Sequence, residues 1–442
     1  MLATFPNTRT TSGGSFIPDE LRSSLGRELT AWDQASARDA AIFRHEFNHY
    51  LNTVGTTFGT FLFATWRTEI ELAFTALSRA IWPGAKKMLG CLPAPVKLFC
   101  ELHPTHPLAE IVDDSLRQFM QYRLMNRYEM GDVTAIELNT LNGSRAYLEL
   151  PCLQISEEVS YSFGARDLLE NAARLEDRVL YRDFDCRIFP AHRTYDVLWK
   201  WSRAVGLDSP LIVLCLIDIA LNPRVLFSKD DPVPSIHDRV AAHRFEILSR
   251  VSWDLNERDR LPEAPSLDGP SIPKRGQLDE YHAAMTEVLC RETDYDNPAD
   301  ALEYHLQRFD QISYNQTIRP ITEHALTVRK EHPSCFMLPY AADVPNSLAS
   351  KYPPLLVTSG NRGVSTVSAP EIGAIENLYL IKKAVVNQIL LGETGDGYTC
   401  PLCKEVIHDN ARDHRCNSGS SLLGTLPFDV GDIRWSESWD FT

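Results

Sequence analysis

The sequence predicts a mainly α-helical fold with a small antiparallel β-ribbon and a cysteine-containing module at the C-terminus. Three observations lead to this prediction. Apolar residues recur at spacings of three and four over many stretches, one segment alternates polar and apolar residues around an Asn-Gly pair, and three cysteines cluster near the end.

Composition narrows the class of protein. The chain has 442 residues, of which 44% are hydrophobic, and a formal net charge of -15, which repels a phosphate backbone. We therefore expect no nucleic acid as the default partner. No basic start followed by an apolar run is present, and the apolar stretch 210–221 is short, so we expect neither a signal peptide nor a membrane span. Scattered cysteines favour a reduced, cytoplasmic protein.

The first strong helical pattern begins near Asp33 and continues until Gly55 interrupts it. The remaining helical stretches are predicted near 61–81, 110–130, 167–180, 191–222, 237–257, 277–291, 298–329 and 370–392. Between Val133 and Pro151 the alternation flanks Asn142-Gly143, a strong hairpin signal, so this segment is the predicted ribbon.

The chain divides into four predicted parts. They are a mobile arm at 1–30, a catalytic core at 31–260, a helical domain packing on the core at 277–395, and a Cys/His zinc module with a tail at 396–442. The boundary after the core rests on four prolines within 261–276, a segment with no apolar periodicity.

One motif carries most of the functional information. His45-Glu-Phe-Asn-His49 fits the pattern H-E-x-x-H, in which two imidazoles four residues apart share a helical face and can bind one zinc ion. Glu46 is offset by one residue, which suits a general base that takes a proton from water at the metal. The alternative is a pair of solvated or capping histidines.

A catalytic zinc ion needs a third protein ligand. Glu170 is the preferred candidate because small Ala173, three residues later on the same predicted helix, would allow close approach to the His45 helix. Glu69 and Glu176 are the alternatives, and Glu170 could instead be a surface carboxylate paired with Arg174.

The segments His45-Glu-Phe-Asn-His-Tyr-Leu-Asn52 and Gly164-Ala-Arg-Asp-Leu-Leu-Glu-Asn-Ala-Ala173 resemble the two signature helices of the bacterial HEYxH-type zinc metallopeptidase family, which is itself similar to gluzincins. The match covers about 40 residues, with Phe47 in place of a frequent Tyr. The resemblance implies a gluzincin-like helical core in which His45, His49 and Glu170 bind zinc and Glu46 is the general base.

The sequence also contains a second metal motif and a candidate substrate-binding segment. Glu46 and His49 form a Glu-x-x-His pair, the repeated motif of di-iron helical bundles, and Glu405 with His408 is the second copy. The ribbon at 133–151 could bind an extended peptide or merely cover the core. The residues eligible to stabilise an oxyanion are Tyr161, His237, Tyr314 and His324.

The C-terminal cysteines form a second constellation. Cys400 and Cys403 have the two-residue spacing of a zinc knuckle, and Cys416 is a third thiolate. His414 is the preferred fourth ligand and His408 the alternative. Such a closed site would hold a structural zinc ion that stabilises a small module. The alternative is three free thiols.

These features together predict a cytoplasmic zinc metallopeptidase that hydrolyses a protein or peptide substrate, with Glu46 as general base. Two alternatives come from other classes. One is a catalytically inactive zincin-like scaffold, which has little reason to keep Glu46, and the other is a nucleic-acid-associated protein that uses the C-terminal module. Oligomeric state is not predicted.

Overall fold

The computed structural model describes a set of ranges that includes most of the predicted helices. The described residues are 14–17, 22–25, 37–61, 63, 135–139, 145–154, 160–180, 193–224, 238, 240–267, 273–308, 318–338, 355–360, 363–367, 398–399 and 406–407. The helices predicted at 110–130 and 370–392, and nearly all of that at 61–81, lie outside these ranges.

Within these ranges the fold is mainly α, as the periodicity predicts. The helices are α1 (Ala37–Gly55), α2 (Ala165–Leu180), α3 (Arg193–Ala204), α4 (Pro210–Ala220), α5 (Ala241–Glu257), α6 (Arg275–Thr293), α7 (Pro298–Arg308) and α8 (Arg319–Glu331), and a 3₁₀ turn follows at Pro333–Phe336. The single stretches predicted at 191–222 and 298–329 are each two helices. Gly206, with φ +86°, lies in the first of these breaks.

The helices enclose one hydrophobic core. Helix α4 lies inside it and is buried from Leu211 to Ala220, which explains why its sequence is apolar on every side. Core residues continue from Phe47 on α1 to Leu338 beyond α8, so helices on both sides of the proline-containing segment 261–276 contribute to the same core. Among the described helices none has the length and apolar character needed to cross a membrane.

The strands form one larger sheet and three ribbons. The strands are β1 (Gly14–Ile17), β2 (Arg22–Leu25), β3 (Ala135–Asn139), β4 (Arg145–Glu149), β5 (Cys152–Gln154), β6 (Ser160–Ser162), β7 (Leu355–Gly360), β8 (Gly363–Val367), β9 (Tyr398–Thr399) and β10 (Val406–Ile407). The sheet order is β1-β2-β7-β8, in which β2 and β7 are parallel. The ribbons are β3–β4, β5–β6 and β9–β10, all antiparallel.

The β3–β4 ribbon is the predicted hairpin, in which Ile136 pairs with Leu148, and Asn142-Gly143 lies between the two strands in the sequence. The larger sheet differs from the sequence prediction. Residues 14–17 and 22–25, which lie within the predicted arm at 1–30, form β1 and β2 and pack against α1. Each strand has only four residues, too few to show a clear alternation, and β2 pairs with a strand more than 300 residues later.

A buried ion cluster fastens the C-terminal end of α1. The guanidinium of Arg329 on α8 donates hydrogen bonds of 2.8 and 2.9 Å to the two carboxylate oxygens of Asp218 on α4, and one of 2.9 Å to the carbonyl oxygen of Gly55. His282 Nε2 on α6 lies 2.8 Å from Asp218 Oδ2. We refer to Asp218, His282 and Arg329 as the Asp218 cluster.

Gly55 itself is required by close packing. A Cβ atom at this position would collide with the ring of Phe336, over which the Arg329 guanidinium also stacks at 4.0 Å. The glycine that ends the helical pattern in the sequence is therefore the point at which α1 contacts the 3₁₀ turn.

Candidate metal centre

Two buried helices, α1 and α2, face each other and hold every residue of the candidate centre. Asn48 Nδ2 on α1 donates a hydrogen bond of 3.0 Å to Glu176 Oε2 on α2, and Asn52 Nδ2 donates one of 2.8 Å to Asn48 Oδ1. Ala172 and Ala173 are buried, so the close approach expected from small residues on α2 is observed. These contacts fix the register between the two helices.

Three side chains converge between these helices. His45 Nε2 lies 3.2 Å from Glu170 Oε2, His49 Nε2 lies 3.5 Å from the same oxygen, and the two Nε2 atoms are 3.3 Å apart. All three residues are buried, with Glu170 only 8% exposed. Within the described residues, these three form the group of histidine and carboxylate side chains close enough to hold one metal ion. We refer to them as the triad.

The three distances fit tetrahedral zinc. Zinc–nitrogen and zinc–oxygen bonds of about 2.0–2.1 Å place neighbouring ligand atoms of a tetrahedron roughly 3.3–3.4 Å apart. The triad distances of 3.2, 3.3 and 3.5 Å therefore form one face of such a tetrahedron. Two imidazoles and one carboxylate leave the fourth position open, as catalytic zinc sites require.

Protons and a cation are two alternative ways to join the triad. An ionised carboxylate oxygen accepts more than one hydrogen bond, so Glu170 Oε2 can accept from Nε2 of both His45 and His49. A cation that receives a lone pair from each of the three atoms would join them without the Nε2 protons. The triangle of distances is therefore the observation that points to a metal.

Charges in the centre are strongly coupled. Burial acts to raise the pKa of Glu170, but the adjacent His49 and His45 outweigh burial and hold that pKa well below its ordinary range. Glu46 shows the reverse: burial raises its pKa, against the lowering effect of His45 and His49, and the charge of Glu170 adds to the rise. One carboxylate is therefore suited to remain ionised as a ligand, and its neighbour has the higher proton affinity that a base needs.

Two residues near the triad were not identified from the sequence. Arg166, one turn before Glu170 on α2, places its Nε 3.7 Å from Glu170 Oε1, the oxygen that does not face the histidines. Tyr195 on α3 lies edge-on to His45, with ring centroids 5.8 Å apart. Burial, followed by the charges of Glu170 and Glu46, raises the pKa of Tyr195 above its ordinary value. Only the spacing of Arg166 from Glu170 could have indicated either residue.

The alternatives considered for the third ligand have other positions. Glu176 is buried but binds Asn48 rather than the triad, and Glu69 lies outside the described residues. Glu170 is not the surface carboxylate that the alternative reading assumed, because it is buried.

The residues predicted as candidate oxyanion stabilisers have other contacts or positions. Tyr161 donates its hydroxyl proton to Asp167 Oδ1 at 2.9 Å, and burial raises the pKa of Asp167 to about 6. His324 lies on α8. The remaining predicted residues fall outside the described ranges; they are His237, Tyr314, Cys400, Cys403, Glu405, His408, His414 and Cys416.

Comparisons with known proteins add no relative: the chain matches none of the protein-family models, curated proteins or solved structures with which it was compared. Any function proposed for the chain therefore rests on its own residues.

Proposed function

We propose that this protein is a zinc-dependent metallopeptidase that hydrolyses a peptide bond in a protein or peptide substrate. His45, His49 and Glu170 are its zinc ligands and Glu46 is its general base. The observation that carries the proposal is the triangle of ligand atoms, whose sides of 3.2, 3.3 and 3.5 Å match a tetrahedral face. The HEYxH-type resemblance points to the same residues.

The chemistry follows from the placement of Glu46. Zinc, when bound, supplies Lewis-acid activation of water and of the substrate carbonyl. Glu46 is next to His45 in sequence and feels the charges of both histidines, so its carboxylate lies at the same site without belonging to the triad. It takes the proton of the attacking water and then delivers it to the amine that leaves.

The rigid surroundings suit catalysis. The Asn48–Glu176 hydrogen bond fixes α1 against α2, and the Asp218 cluster fixes the end of α1. Ligands on two helices packed in this way are preorganised, which reduces the cost of assembling the site. The four cysteines that the structure describes are free thiols, which supports a cytoplasmic setting for this activity.

A second zinc ion completes the proposal. Tyr398–Thr399 pairs with Val406–Ile407 in an antiparallel ribbon, so the intervening segment, which contains Cys400 and Cys403, connects two paired strands. We propose that these cysteines, Cys416 and His414 hold a structural zinc ion, with His408 as the alternative fourth ligand.

The test of the enzymatic proposal is Glu46→Gln. Glutamine keeps the shape and hydrogen-bonding capacity of glutamate but does not accept a proton at neutral pH, so activity should fall by roughly 10²–10⁴-fold. The zinc content and thermal stability should be unchanged. Peptide fragments that appear with wild type and disappear with the variant would be identified by proteomic comparison of cells producing each form.

A matched control is Glu176→Gln, which makes the same change at another buried glutamate and keeps an oxygen that accepts the hydrogen bond from Asn48 Nδ2. If Glu46→Gln keeps its zinc and produces every fragment that wild type produces, hydrolysis is not the function, and a zinc-bearing scaffold is the remaining reading.

A further inference from the structure

Helix α3 carries a phenol beside the triad, and its position is set by a specific contact. The backbone N–H of Leu198 on α3 donates a 3.2 Å hydrogen bond to Asn171 Oδ1, and Asn171 is the residue after Glu170 on α2. Asn171 Nδ2 is itself anchored by a 2.7 Å hydrogen bond to the carbonyl oxygen of Asp167. This contact fixes α3 against the part of α2 that bears the carboxylate of the triad.

Tyr195 lies three residues before Leu198 and hence on the same face of α3. Its ring meets the ring of His45 edge-on, at 5.8 Å and an interplanar angle of 63°. Tyr195 is only partly buried, and the charges of both Glu170 and Glu46 act on its phenol. The ring of Tyr195 therefore lies beside a ligand of the triad, on a side chain that is partly open to solvent.

Peptide hydrolysis needs a donor at such a position. When the water oxygen adds to the carbonyl carbon, the proton passes to Glu46 and the carbonyl π electrons move to oxygen, which becomes an oxyanion. When the C–N bond breaks, the electron pair leaves with nitrogen, the proton from Glu46 joins it, and the C=O bond re-forms. A hydrogen-bond donor aimed at the oxyanion stabilises the intermediate more than the substrate.

We propose that Tyr195 donates this hydrogen bond to the oxyanion, an inference that rests on the hydrolytic function proposed above. A phenol is protonated at neutral pH and is a hydrogen-bond donor. Three other described residues with suitable donors contact residues outside the triad: Tyr161 donates to Asp167, His282 faces Asp218, and His305 faces Thr60. Tyr195 keeps its proton throughout and acts by donation alone.

The deciding variant is Tyr195→Phe, which keeps the ring that packs on His45 and removes only the hydroxyl. With a cleaved peptide, kcat should fall about 10²-fold or more while KM and zinc content stay unchanged. Tyr281→Phe is the matched control, because Tyr281 is a buried tyrosine on α6 whose hydroxyl has no hydrogen-bond partner among the described residues. A role limited to packing predicts no effect of Tyr195→Phe, whereas Tyr195→Ala would then disturb metal binding.

A second measurement separates this inference from the peptidase proposal. The full-length protein is loaded with Co²⁺, and inorganic phosphate, a tetrahedral anion, is titrated while the visible spectrum of the metal is recorded. Tyr195→Phe should weaken phosphate binding roughly tenfold or more, since hydrogen bonds to charged groups are the stronger ones.

Unchanged phosphate affinity in Tyr195→Phe, or no phosphate binding by wild type, overturns the assignment of Tyr195. If phosphate binding weakens as expected but wild type cleaves no peptide, the contact between Tyr195 and an anion stands and the peptidase proposal fails. If His45→Ala leaves the Co²⁺ spectrum unchanged, the metal is not in the triad and both proposals fail.

Discussion

Two buried clusters in this protein combine histidine with a carboxylate, yet they differ in how their charges are balanced. In the Asp218 cluster, Arg329 gives one hydrogen bond to each carboxylate oxygen, at 2.8 and 2.9 Å, and His282 approaches at 2.8 Å. In the triad, Arg166 Nε lies 3.7 Å from Glu170 Oε1, the oxygen away from the histidines.

The difference bears on what each cluster can hold. The carboxylate of Asp218 has a full cationic partner within the chain, so the cluster is complete and needs no ligand. In the triad, three atoms that can serve as metal ligands are separated by distances that match a tetrahedral face, and the carboxylates of Glu46 and Glu170 are both buried. Burial of histidine and carboxylate is common to both clusters; the arrangement of the ligand atoms distinguishes them.

The largest effect expected from this comparison is on metal content. Wild type should bind two zinc ions per chain, and Glu170→Ala should lose the ion of the triad, with affinity falling by more than about 100-fold because even partners outside the ligand set change affinity by 10–100-fold. Cys400→Ser should lose the other ion. Elemental analysis of the purified proteins measures both losses.

Glu176→Ala and Glu69→Ala are the controls, since each removes a glutamate that was an alternative ligand. Both should retain two ions. Release of the triad ion by Glu69→Ala, together with retention by Glu170→Ala, would show that the helix carrying the third ligand has been assigned wrongly.

The second-largest effect is on folding stability, and it is expected for substitutions in the Asp218 cluster. Arg329→Met leaves the buried Asp218 carboxylate without its cation, which should lower the free energy of unfolding by about 3–5 kcal/mol. The double variant Asp218→Leu/Arg329→Met removes both charges and should be more stable than Arg329→Met alone. Urea unfolding of wild type and the two variants measures the free energy of unfolding. If the double variant is no more stable than Arg329→Met, the contribution of Arg329 does not come from its ion pair with Asp218.

The smallest effect is a pH dependence with a defined sign. Burial opposes ionisation of Asp218, but Arg329 and His282 outweigh it and lower the pKa to about 2 from 3.8. As the pH falls below 4 the unfolded chain binds the proton first, so the contribution of Asp218 is present above pH 4 and is lost as the pH falls through 2. We expect a loss of about 1 kcal/mol by pH 3 and about 2 kcal/mol in full.

In Asp218→Asn, the midpoint of urea unfolding should not show this loss of stability between pH 5 and pH 3. Asp167→Asn is a control of opposite sign, because the pKa of Asp167 is raised to about 6 and its contribution is lost as the pH rises. Equal slopes for wild type and Asp218→Asn would show that Asp218 is not held ionised in the folded protein.

Features that depend on local pattern could be predicted from the sequence, and those that depend on distant pairing could not. The helix with His45 and His49, its end at Gly55 and the ribbon around Asn142-Gly143 follow from periodicity and turn residues. The meeting of Glu170 with His45 is also a distant pairing, over 125 positions, and it was expected from small Ala173 and from the resemblance of the two helices to a known pair, not from spacing.

Tyr195 and the Asp218 cluster were missed for the same reason. The contact of Tyr195 with His45 joins residues 150 positions apart, and neither has a spacing that indicates the other. Asp218 lies in an otherwise apolar helix and its partner Arg329 is 111 positions away, so the sequence showed only an acidic residue interrupting an apolar run. The parallel pairing of β2 with β7 could not be predicted for the same reason, because the two strands are far apart in the sequence.

The hydrogen bond from Arg329 to the carbonyl oxygen of Gly55 has a consequence for the order of events during synthesis. Its two residues are separated by 274 positions. At ribosomal rates of about 5–20 residues per second, the end of α1 waits tens of seconds for its partner to be made. The histidine pair of a nascent chain is therefore translated long before the end of its helix is locked, because Arg329 is added only after about three quarters of the protein has been made.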